Sequence, residues 1–68
     1  MAYDVWVNGE PTRVPPGRSV AELVREYSDR QTGIAVAVNQ TVLTRQEWAG
    51  TTLTDGDRVE IVSAVQGG

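Results

Sequence analysis

The residues with most chemical scope in this sequence stand at its C-terminal end, where Ala64-Val65-Gln66-Gly67-Gly68 runs out on two glycines. A backbone without Cβ atoms passes through a narrow channel and adopts any φ the channel demands, so such an end can be drawn into another protein's active site. The group delivered there is the Gly68 carboxylate. Converting one of its oxygens into a leaving group, as an acyl-adenylate, turns a weak acyl donor into a good one. At glycine's average abundance of ~7%, two terminal glycines arise by chance in roughly 0.5% of chains. Taken alone, the pair fits a frayed end equally well.

What the sequence omits sharpens this reading. It contains no Cys and no His, and all 6 of its basic residues are Arg. There is therefore no thiolate nucleophile, no imidazole base and no Schiff-base amine. The side chains of most zinc and iron sites are missing as well. Neither an autonomous enzyme nor a bound metal or cofactor is expected.

The elements that must present this end are legible from period and turn chemistry. Tyr3 to Val7 alternates with period 2 and runs into Asn8-Gly9, a pair suited to the positive φ angles of a type I′ hairpin turn. The return strand is expected over about Glu10 to Val14. Pro11 lacks a backbone donor, so this strand belongs at a sheet edge. Pro15-Pro16-Gly17 breaks it. Ser19 with Glu22 three residues later forms a capping box, and Val20, Leu23, Val24 and Tyr27 then make the apolar stripe of a helix for which Gly33 is the natural stop. Ile34 to Val38 reads as a strand with Ile34, Val36 and Val38 on one face and only Ala35 and Ala37 on the other. Asn39-Gln40 is a turn, Thr41 to Leu43 a short strand, and Thr44 with Glu47 caps one helical turn that folds Trp48 onto the core. After the Asp55-Gly56-Asp57 turn, the strand Arg58 to Ser63 turns Val59 and Ile61 inward and Arg58, Glu60 and Val62 outward.

Hairpin, helix, two strands and a last strand make an α+β layer pair with one helix to cover one sheet face. This order matches the β-grasp, or ubiquitin-like, arrangement: one mixed sheet of four to five strands on one helix, with first and last strands parallel at the centre. The other sheet face is left open. If Val5 and Val7 face the helix, Trp6 faces away, beside Val62 and the small Ala35 and Ala37. A patch of this kind suits docking. Trp6, Val62, Glu60 and Arg45 are the candidate partner contacts, while Trp48 reads as a lid on the core.

The sequence spans 68 residues with 40% apolar and 22% charged residues and a formal charge of -3. That describes one small domain, expected over 1–68 with a flexible tail at about 64–68, and too small to enclose a substrate cavity. Without a basic stripe no nucleic-acid partner is expected. With no long apolar stretch no membrane association is expected, and the cytoplasm is the expected location.

Taken together, Asn8, the Gly17 turn with Val20 to Leu23 after it, Asn39-Gln40, Arg45-Gln46-Glu47-Trp48, Asp55-Gly56-Asp57 and Gly67-Gly68 resemble the ubiquitin-like sulfur carriers of the ThiS and MoaD family over nearly the whole chain. Arg45 with Trp48, so soon after Asn39-Gln40, is more particular to the thiazole branch. The resemblance implies a carrier of sulfur for thiazole formation in thiamin biosynthesis. A ThiF-like partner, similar to the ubiquitin-activating enzymes, would use ATP and Mg to adenylate Gly68, with Gly67 and Gln66 as the tail it recognises. A protein persulfide would supply the sulfur of a C-terminal thiocarboxylate, and a ThiG-like thiazole synthase would accept it. Carriers for molybdopterin or cysteine synthesis share fold and terminus. A protein modifier that forms amide bonds, or a β-grasp interaction domain with no special terminus, stays open from the residues alone.

Overall fold

A computed structural model describes residues 1–27 and 33–63, apart from the side chain of Ser63. Its elements follow the turn chemistry closely. Strand β1 (Tyr3–Val7) turns at Asn8 and Gly9, whose φ angles of 52° and 85° are the left-handed pair a type I′ hairpin needs, and returns as β2 (Glu10–Val14). Helix α1 (Val20–Tyr27) follows. Strands β3 (Ile34–Val38) and β4 (Thr41–Leu43) are joined by Asn39 and Gln40, again both at positive φ. The single turn α2 (Arg45–Trp48) and strand β5 (Arg58–Ser63) complete the described order.

The sheet has five strands in the order β2-β1-β5-β3-β4, with β1 parallel to β5 and every other pairing antiparallel. β2, carrying Pro11, lies at an edge as its missing donor requires. β5 is the middle strand. It pairs with β1 through Trp6 and Val7 and with β3 along its length, from Val59 opposite Val38 to Ser63 opposite Ile34.

Both helices begin with capping boxes. The Ser19 hydroxyl accepts from the Glu22 amide at 3.2 Å while the Glu22 carboxylate accepts from the Ser19 amide at 3.0 Å. Thr44 and Glu47 repeat the arrangement at α2. The first box settles where α1 starts, and its apolar stripe then buries Val20, Leu23 and Val24 against Val5, Val7, Val14, Val36, Val59 and Ile61 of the sheet. Each such aliphatic side chain contributes about 1.5–3 kcal/mol on full burial. Trp48 and Leu53 close the remaining side of the core, at 4% and 0% exposure.

Tyr27 departs from the expected stripe. It is 53% exposed, and its hydroxyl accepts a hydrogen bond from the Asn8 carboxamide at 2.8 Å. A phenol at the end of the described helix gains more from a polar partner at the rim than from a core already filled by three aliphatic side chains. The expected approach to Gly33 and the expected tail lie at residues 28–32 and 64–68, outside the described residues.

Candidate functional site

The face of the sheet opposite α1 is built by the outward residues of each strand. On β1 this is Trp6, 40% exposed between the buried Val5 and Val7; on β5 it is Arg58, Glu60 and Val62, alternating with the buried Val59 and Ile61. β3 contributes Ala35 and Ala37, and β4 contributes Val42, which is 72% exposed. The alternation that fills the core therefore also dictates this surface.

Trp6 does not lie beside Val62, as the sequence pattern suggested. Register places Trp6 opposite Arg58 and Val62 opposite Ala35, and four residues along β5 separate the two by roughly 13 Å. The face thus holds two hollows. One, between Trp6, Gly9, Arg58 and Glu60, has a volume of about 330 Å³; the other, of about 170 Å³, is walled by Ala35, Ala37, Val42, Glu60 and Val62. Glu60 borders both and is the charged divider between an indole-walled and an aliphatic subsite.

Arg45 does not join them. Its guanidinium carbon lies 5.9 Å from the centroid of the Trp48 ring, stacked on the residue that closes the core on the helix side of the sheet. Trp48 is buried as expected of a lid, and its indole Nε1 finds no hydrogen-bond partner among the described residues. Gln66, Gly67 and Gly68 fall outside the described residues, so the face can be related to them only through β5, the strand that runs toward them.

Two polar networks at the ends of β5 carry no signal in period or composition. Near its start the Asp57 carboxylate accepts from the Thr54 amide at 2.8 Å, the Thr54 hydroxyl at 3.0 Å and Asn39 Nδ2 at 3.0 Å, while Asn39 Oδ1 accepts from the Arg58 amide at 3.0 Å. Further along, Asn8 Oδ1 accepts from the Ile61 amide at 2.8 Å and Asn8 Nδ2 donates to the Ile61 carbonyl at 3.1 Å. Asn-Gly and Asn-Gln announce turns, but nothing local tells where their carboxamides reach.

The electrostatics outside the face are simple. The Glu22 carboxyl is held below its ordinary value of 4.5 chiefly by the Ser19 amide, with smaller help from the Ser19 hydroxyl, Arg18 and Arg25. The half-buried Arg18 pairs with the exposed Glu26, and Arg13 pairs with Asp4 at 3.4 Å at the surface. Among the described residues no cluster of three or more His, Cys, Asp or Glu side chains could hold a metal ion, and no helix is long and apolar enough to cross a membrane.

Comparison with known proteins gives a single answer. The model of the ThiS family matches residues 5–68. The sulfur carrier protein ThiS of Escherichia coli is 33% identical over 64 residues, covering 94% of this chain and 97% of that protein. The sulfur carrier protein ThiS of Thermus thermophilus is 39% identical over 64 residues, with 94% and 98% covered. Among solved structures, a crystal structure of the thiamine biosynthesis protein ThiS from Geobacter metallireducens superposes with a TM-score of 0.79 at 34% identity, covering 96% of this chain and 99% of that one. A solution structure of a thiamine biosynthesis protein from the same organism gives a TM-score of 0.75 at the same identity, with 96% and 87% covered.

Proposed function

This chain belongs to the ThiS family, and on that premise we propose how its parts serve a sulfur carrier protein of thiamin biosynthesis. The reacting group is the Gly68 carboxylate. A ThiF-like activating enzyme binds ATP and Mg; a carboxylate oxygen attacks the α-phosphorus, pyrophosphate leaves, and an acyl-adenylate forms. The terminal sulfur of a protein persulfide attacks the acyl carbon and expels AMP. A thiol then attacks the inner sulfur of the resulting acyl disulfide and breaks the sulfur–sulfur bond that came with the persulfide; it forms a disulfide with that inner sulfur and releases the thiocarboxylate from which a ThiG-like thiazole synthase takes sulfur. The carrier supplies no catalytic side chain and holds no cofactor of its own. It works in the cytoplasm as one domain, with residues 64–68 as the delivered segment and Gln66 and Gly67 read by the enzyme's channel.

The open sheet face is the docking surface for the activating enzyme, with Trp6 and Val62 as separate apolar anchors and Glu60 between them. The observation that carries the reading is the reach of the family match, which continues from residue 5 through both glycines. The absence of Cys supports it, since no side-chain thiol competes for the sulfur.

The test is made on the carboxylate itself. A variant with one residue added after Gly68 turns the glycine carboxylate into an amide, and it should lose ATP–pyrophosphate exchange with the activating enzyme while its circular dichroism stays native. Gly67→Ala should retain a fraction of the activity, because its Cβ narrows the fit and restricts φ without removing the acid. Full exchange by the extended variant overturns the assignment. Intact mass of protein from cells then separates a carrier, in which sulfur replaces one oxygen, from a modifier, which appears as heavier conjugates.

A further inference from the structure

The parallel ladder between β1 and β5 stops sooner than β5 does. Trp6 N–H donates to the Asp57 carbonyl and Asn8 N–H to the Val59 carbonyl, both at 2.9 Å, and the chain then leaves β5 through the hairpin turn. Had β1 continued, the carbonyl of residue 8 would accept from the Ile61 amide and the amide of residue 10 would donate to the Ile61 carbonyl. The turn takes both groups away. In their place Asn8 Oδ1 accepts from the Ile61 amide at 2.8 Å and Asn8 Nδ2 donates to the Ile61 carbonyl at 3.1 Å. The second Nδ2 hydrogen goes to the Tyr27 hydroxyl at 2.8 Å, which ties the carboxamide to the end of the described helix. One side chain thus completes the ladder beyond the point where its own strand has gone.

We propose that Asn8, held by Tyr27, is a positioning residue for the transfer reaction: by clamping Ile61 it sets the direction in which β5 delivers the chain toward Gly68. This rests on the reading of Gly68 as the reacting group. Ile61 is the last residue of β5 to which the β1 side is bonded in the described structure; beyond it β3 alone holds the strand, through Val62 and Ser63, so the clamp is the last restraint on one flank of β5 before the delivered segment. Docking and delivery are thereby separate functions. Trp6, Glu60 and Val62 meet the partner, while Asn8, across the hairpin turn, aims the end.

Asn8→Gly is the decisive variant, because glycine keeps the positive φ of the turn while removing the side chain that carries the carboxamide. Tyr27→Phe, which spares the turn altogether, serves if the first variant fails to fold. By NMR, amide exchange at Ile61 should quicken about 10-fold relative to Val59, as expected for losing one net hydrogen bond. Residual dipolar couplings of Ile61 and Val62 should shift while those of β3 stay. In the pyrophosphate-exchange assay kcat should fall on the order of 10- to 100-fold with KM unchanged, since a misaimed carboxylate docks normally but reacts slowly. Unchanged couplings, equal exchange at Ile61 and Val59, or a rise in KM at constant kcat overturns the proposal. If the wild-type protein gives no exchange with the activating enzyme, the carrier reading fails, and the NMR measurements, which need no partner, still decide the clamp.

Discussion

Leu53 is fully buried although it stands between threonines, in Thr51-Thr52-Leu53-Thr54, with no apolar period around it. Its amide donates to the Arg18 carbonyl at 2.8 Å, which draws an otherwise irregular segment across the start of α1. Leu53→Ala should cost about 2–5 kcal/mol, through lost transfer energy and the cavity left behind. Against a total of roughly 3–10 kcal/mol for a chain of this length, a loss of that size takes much of the fold's stability. Urea unfolding should show a much lower midpoint with an unchanged slope; a midpoint near wild type would mean the site collapses without a cavity. Asp57 makes a polar counterpart. Asp57→Ala strips partners from Asn39 Nδ2 and from the Thr54 amide and hydroxyl, and should cost about 1–3 kcal/mol in the same measurement.

At the level of elements, α1 offers a pH test. Glu22 is held below its ordinary value of 4.5 by the Ser19 amide, so the folded state favours its charged form. The stability this contributes is complete above the unfolded value and is lost as pH falls through the depressed folded value. The difference in unfolding free energy between wild type and Glu22→Gln should therefore be flat above pH 4.5 and shrink below it. A difference that grows on acidification would contradict the capping box. Strands, both hairpin turns and both helix starts are legible in the sequence because each rests on local rules: alternation, Asn at positive φ, and Ser or Thr three residues before Glu. Tyr27 escapes those rules because helical spacing says which face a residue occupies, not whether the core has room for it. The clamp by Asn8, the bridge from Asn39 to Asp57 and the burial of Leu53 join residues that only tertiary closure brings together. The stacking of Arg45 on Trp48 lies within one helical turn and is open to an i, i+3 reading.

Over the whole molecule, one sheet face is buried under α1 while the other, bearing Trp6 and Val62, is open and is the proposed docking surface. Trp6→Ser should weaken the complex with the activating enzyme while moving unfolding free energy by no more than about 0.5 kcal/mol, because the indole lies on the open face and not in the core. Calorimetric titration and urea melts check the two halves separately. A variant that unfolds, or one that binds like wild type, would show that the docking surface lies elsewhere. Val62→Ser should behave similarly but independently, since roughly 13 Å separates the anchors and distant sites add.

The parallel pairing of β1 with the central β5 also decides how the protein answers force. A pull on the C-terminal end of β5 acts along the strand, so the bonds from Trp6, Asn8 and β3 are loaded together in shear and cannot open in succession like a zipper. Rupture must break them in concert, and forced rupture is governed by the unfolding rate and not by equilibrium stability. In the proposed delivery, a pull on the C-terminal end would therefore leave the body that carries it in shape.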